Sequence, residues 1–114
     1  MPAFAYRIVP PRADFVATIT SGEAATMGAH FGFLQGLEAE GRVIFVGRCD
    51  NGDWGLGVFE FADEAEAREV LSRDPAVASG LMRMELHAFK VVMERGRLPA
   101  DAVVVDGVRG GASG

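Results

Sequence analysis

With 114 residues, 49% of them apolar and 24% charged, the chain has the make-up of one globular domain, large enough to bury a core without cross-links. Its formal net charge of −5 and isoelectric point near 4.9 argue against nucleic acid and anionic membranes as partners, since both recruit basic surfaces. The single cysteine, Cys49, excludes an internal disulfide framework and a multi-cysteine metal site, and no apolar stretch reaches the roughly 18 residues that span a bilayer.

The first residues lack a charged start followed by an apolar block, so no leader is expected and the cytoplasm is the compartment that remains. Residues 4–9 alternate as a strand, with Phe4, Tyr6 and Ile8 on one face. Pro10 and Pro11 stop it, because proline donates no ladder hydrogen bond. A short connection follows, with Thr18 and Ile19 as a small extension or loop. Thr20 and Glu23 have capping-box spacing and open a helix that runs to about Glu40 and stops at Gly41. Met27, His30, Phe31, Leu34 and Leu37 fall on one side of it. Gly28, Gly32 and Gly36 form a second stripe, nearly opposite. Each glycine costs roughly 1 kcal/mol in a helix, so the stripe points to a close approach by another element or to a tolerated surface.

Residues 43–46 are an unbroken apolar strand. Asn51-Gly52 signals a two-residue hairpin, and residues 54–61 return as the next strand. Asp63 and Glu66 repeat the capping-box spacing before a helix over 64–73 that buries Ala67, Val70 and Leu71. Asp74-Pro75 breaks it, a turn or single helical turn runs to Gly80, and residues 81–92 form a long last strand. Residues 1–95 are thus the folded domain. Residues 96–114 are an extension with one β-prone run, 102–105, and a glycine-rich end expected to be flexible.

The order β-α-β-β-α-β is the ferredoxin-like arrangement, an α+β fold with two helices on one face of a four-stranded antiparallel sheet. The strand at 43–46 is apolar on both faces. The last strand has Met82, Met84 and Leu86 on one face and Phe89 and Val91 on the other. Two helices cover one face only, so the second is expected to be covered by a second copy of the chain in a sheet-to-sheet dimer.

The stretch 30–89 resembles the YciI-like (YCII-related) family of the dimeric α/β-barrel superfamily. The likeness rests on four features in order: His30 ahead of Leu34 and Leu37; Glu40-Gly41-Arg42 leading into Val46-Gly47-Arg48; Glu64-Ala65-Glu66-Ala67 leading to Ser72-Arg73-Asp74-Pro75-Ala76-Val77; and Gly80 followed by Glu85-Leu86-His87-Ala88-Phe89. Family members often have proline where this chain has Arg48 and Ala88, and the Arg48 difference changes the expected rim of the cavity. The resemblance implies a barrel-forming homodimer, or an assembly built from one, around a histidine–aspartate site at His30 and Asp74. It also implies proton-transfer chemistry on small oxygenated ring compounds without a metal or organic cofactor, since some relatives are dehydrochlorinases or look like muconolactone isomerases.

Each candidate residue has two roles open to it. His30 is a general acid/base or a hydrogen-bonded core histidine. Asp74 orients that imidazole or caps the turn that Pro75 begins, and a carboxylate with two oxygens has room for both. Arg48 is an anion contact or a solvated rim residue. His87, on the strand face of Arg83, Glu85 and Phe89, is a second site residue if that face looks into the dimer, and otherwise an edge histidine. Tyr6 and Trp54 are cavity walls or packing. Asp50-Asn51-Gly52-Asp53 lacks the ligand spacing of a calcium loop, so no metal is expected. The leading function is a lyase- or isomerase-type enzyme acting on a small polar or aromatic acid. A non-catalytic ligand-binding or assembly module and a cofactor-free oxygenase stand as alternatives.

Overall fold

The computed structural model describes residues 1–95 together with the backbone of Val104–Val105 and Val108–Arg109. Strand β1 (Ala3–Val9) is followed by α1 (Phe15–Thr18), α2 (Ser21–Ala39), β2 (Val43–Arg48) and β3 (Gly55–Glu60). Helices α3 (Glu64–Leu71) and α4 (Pro75–Ala78) lead into β4 (Arg83–Phe89). The four strands form one antiparallel sheet in the order β2-β3-β1-β4. This is the ferredoxin-like fold expected from the sequence. Beyond it, β5 (Val104–Val105) pairs with β6 (Val108–Arg109), which places a strand within the β-prone run. The glycine-rich end lies outside the described residues.

Local chemistry sets the ends of the elements. The Thr20–Glu23 capping box closes in both directions, and Gly41 takes the left-handed conformation (φ 77°) after the helix. At α3 only half of the box forms. Asp63 accepts the Glu66 N–H, but the Glu66 carboxylate reaches one residue further, to the Ala62 N–H. Strand β4 is shorter than the expected 81–92. Its last pair is Phe89 with Ala3, the first residue of β1, so the ladder runs out of partner there.

Three expectations are corrected. The Asn51-Gly52 turn is wider than two residues: the Gly52 N–H bonds to the Cys49 carbonyl, the Cys49 N–H bonds to the Trp54 carbonyl, and Gly52 takes the left-handed conformation (φ 78°). A two-residue turn would pair Asp50 with Asp53, whereas here the pairing ends at Cys49 with Trp54 and leaves residues 50–53 in the loop. The connection after Pro11 contains a one-turn helix, α1, anchored by the buried Phe15. Phe31 is 61% exposed, whereas Leu34 and Leu37 on the same side of α2 are buried.

The glycine stripe faces open space. An alanine methyl at Gly28, Gly32 or Gly36 meets no atom within 4 Å, so nothing in the described chain uses a close approach there. Gly32→Ala is therefore expected to raise stability by about 1 kcal/mol through helix propensity. Gly41→Ala, with equally open space but a φ of 77°, is expected to lower it by about 1 kcal/mol. Urea melts of the two variants check the opposite signs.

The strand register sorts the side chains. Phe4, Tyr6 and Ile8 share a face with Phe59 and Leu86, and with α2 and α3 they enclose the core. The outer face carries Ala5, Arg7, Phe45, Val58, Glu85, His87 and Phe89. It is more polar than expected. Arg83 and Arg7 both bond to Glu85 and hold its carboxyl below the usual range.

Candidate active site

Three elements converge behind the sheet's inner face. Helix α2 presents His30, whose Nδ1 lies 2.7 Å and 2.9 Å from the two oxygens of Asp74. Asp74 stands at the N-cap of α4, where Oδ1 accepts the Ala76 N–H at 2.9 Å, as Asp-Pro at a helix start favours. Strand β1 supplies Tyr6, whose hydroxyl donates to Oδ2 at 2.5 Å. The Asp74 side chain is 0% exposed and that of His30 is 12% exposed. The Tyr6 hydroxyl and the Ala76 N–H both donate to this buried carboxylate, which suits its acceptor-only form, and the Nδ1–H tautomer of His30 is the one that adds a third donor. Nε2 is the nitrogen left for a ligand.

His30 and Tyr6 line a cavity of about 430 Å³ between α2, α1 and the sheet. That volume falls in the range of small-molecule sites. Its walls are mostly apolar, with Ile8, Phe15, Met27, Leu34, Phe59 and Met82 among them. Val16 of α1 packs directly over Gly52, so α1 meets the β2–β3 loop across one side of the cavity.

Arg48 and Trp54 stand at the exposed rim of this cavity. Arg48 Nη1 donates to the carbonyls of Cys49 and Asp50 at 3.0 Å, which holds the guanidinium across the loop. The Arg7 guanidinium lies 5.1 Å from the centre of the Trp54 ring. His87 is elsewhere: it pairs with Ala5 on the outer face and does not line the cavity. Five of the six candidates thus come together, and the sheet separates the sixth from them. The Asp50–Asp53 segment is tied up with itself, Asn51 donating to the Asp53 carboxylate and accepting the Asp53 N–H. Among the described residues no three metal-ligating side chains of His, Cys, Asp or Glu gather. The link from Tyr6 to Asp74 escapes sequence reasoning. The two residues are 68 positions apart and no local pattern joins them.

Burial pushes the Tyr6 phenol far above its ordinary value, and the hydrogen bond to Asp74 and its charge add to the rise. Unfolded tyrosine ionises near pH 10. A group whose folded value is raised favours the folded state below the unfolded value and loses that advantage as pH climbs past it. Stability is therefore expected to fall above pH 10, by about 1.4 kcal/mol per pH unit from this group. Tyr6 is the only tyrosine in the chain, so phenolate absorbance reports on it alone and is expected to appear together with unfolding.

A ferredoxin-like sheet with a histidine–carboxylate pair beside an apolar cavity defines an α+β protein whose candidate site lies between sheet and helices. A family model of the YCII-related domain matches residues 6–90, and the chain belongs to that family. Its fold is similar to that of 5-chloro-2-hydroxyhydroquinone dehydrochlorinase (TftG) from Burkholderia phenoliruptrix AC1100, solved in complex with 2,5-dihydroxybenzoquinone. The TM-score is 0.58 and the identity 20%, over 79% of this chain and 94% of that one. Among curated proteins none matches.

Proposed function

We propose that the chain is an acid–base enzyme of the lyase or isomerase type, acting on a small polar or aromatic acid. The observation that carries this is the 2.7 Å contact between His30 Nδ1 and Asp74 beside a cavity of about 430 Å³. Nε2 takes a proton from a hydroxyl or acidic C–H of the substrate, and the bonding pair stays on the substrate. The pair then shifts and is reprotonated elsewhere by the imidazolium, an isomerisation, or it expels an anion from the neighbouring carbon, an elimination. Asp74 keeps the imidazole in the Nδ1–H form and stabilises the imidazolium. Arg48 meets the substrate's negative charge at the rim, and Trp54 forms a flat wall.

TftG, similar in fold, is named a dehydrochlorinase and was solved with 2,5-dihydroxybenzoquinone, which makes that compound the first probe. Calorimetric titration with it and with hydroxylated aromatic acids is expected to give binding at sub-millimolar concentration. Trp54, the sole tryptophan, is a second reporter at the rim. Failure of every compound to bind below about 1 mM removes the proposal. Asp74's bond to the Ala76 N–H favours a second reading, in which the pair is structural and the cavity only stores a ligand. Binding with neither turnover nor exchange of substrate protons with solvent selects that reading.

We also propose that two chains pair through the outer sheet face, where Phe45 and Phe89 are 49% and 44% exposed. Light scattering at micromolar concentration is expected to give twice the chain mass of 12.1 kDa, and a species of 12.1 kDa alone refutes the pairing.

A further inference from the structure

Tyr6 occupies a position that a phenylalanine would fill as well. Its ring packs edge-on to Phe59 with centroids 6.0 Å apart, and its neighbour on the same face of β1 is Phe4. What distinguishes it is the hydroxyl, and that hydroxyl is aimed at Oδ2 of Asp74, the oxygen that also lies 2.7 Å from His30 Nδ1. The Ala76 N–H holds Oδ1 from the other side. The carboxylate is thus pinned between a strand and a helix end, with its charge shared among three donors.

We propose that Tyr6 is the positioning residue of this site: its phenol fixes Asp74 against His30 and draws off part of the negative charge that the imidazole would otherwise feel. The proposal rests on the acid–base role of His30, but its test needs no substrate. The chain has two histidines, and His87 lies on the opposite face of the sheet, where it serves as an internal control. Around His30 the groups that bear on its charge are Asp74 at the start of α4, Tyr6 on β1 and Arg48 at the end of β2. Arg48 is the one further charged side chain among the described cavity residues.

The experiment follows both imidazoles by NMR across pH in the full chain. Tyr6→Phe removes the donor and leaves more charge on Asp74, so the His30 titration midpoint is expected to rise while His87 stays put. Tyr6 is the sole tyrosine, so growth on 3-fluorotyrosine alters position 6 alone. That more acidic phenol donates more strongly, and the His30 midpoint is expected to move the other way. With Asp74→Asn already in place, Tyr6→Phe is expected to give little further shift.

Opposite shifts in the two phenol variants, absent in the asparagine background, support the proposal. An unmoved His30 midpoint, shifts of the same sign, or an equal shift without the carboxylate overturns it, and Tyr6 is then packing alone. A failed substrate screen alongside opposite shifts removes the enzyme reading and leaves the role of Tyr6 intact.

Discussion

Asp74→Ala is expected to lower stability by about 3 kcal/mol and the melting temperature by about 10 °C. The carboxylate is fully buried and takes donors from Tyr6, His30 and Ala76. Removing it leaves three polar hydrogens facing apolar surroundings, and each unsatisfied buried group costs roughly 1–3 kcal/mol. Two effects moderate the sum. The variant no longer buries a charge, and His30 borders the cavity, from which water reaches its ring. Asp63→Ala supplies the comparison. It too deletes an N-cap acceptor, the one for the Glu66 N–H, but at an exposed helix start, where the loss is about 1 kcal/mol. Thermal melts of the two variants separate the cases. Equal losses would mean that Asp74 acts only as a cap and that the bonds to Tyr6 and His30 contribute nothing. Adding Tyr6→Phe to Asp74→Ala removes one orphaned hydroxyl, so the double variant is expected to be less damaged than the sum of the singles.

Much of this architecture is legible along the chain because its determinants are local. The alternation of Phe4, Tyr6 and Ile8 predicts a strand face, and the Thr20–Glu23 spacing predicts a capping box that forms in full. Gly41 marks the helix end by its conformational freedom. What escapes is set by distant partners. Phe31 has helical spacing for the core but meets only the cavity mouth, since nothing in the described chain seals that end. The glycine stripe has no approaching neighbour. The His30–Asp74 pair carries over from the family resemblance, but composition and periodicity allow a cap and a core histidine equally well. Only the packing of α2 beside α4 brings the pair within hydrogen-bond distance. His87 lies on the outer face with Arg83 and Glu85, as the alternation of β4 predicts, so it bears on a ligand only through a pairing of two chains over that face. It alternates with Leu86, and Leu86 is the one that faces the core.

His30→Gln is expected to lower turnover by about 10²- to 10⁴-fold once a substrate is in hand, the range supplied by a positioned general base. At about 1.4 kcal/mol per factor of ten, that is roughly 3–5 kcal/mol of barrier. Glutamine is chosen because its amide still donates to Asp74, so the carboxylate keeps its donors and the fold is spared the penalty of Asp74→Ala. What it lacks is a nitrogen that takes up a proton near neutral pH. Affinity is expected to change little, because binding comes from the apolar walls and the Arg48 rim rather than from Nε2. A loss in kcat with an unchanged Kd therefore places His30 in the chemical step. A loss in affinity with kcat retained places it in the wall, and then the pair belongs to ligand storage. The pH profile offers an independent check: a limb present in the parent and missing in His30→Gln belongs to this imidazole. His87→Gln, altered on the far side of the sheet, is expected to leave the profile as it was.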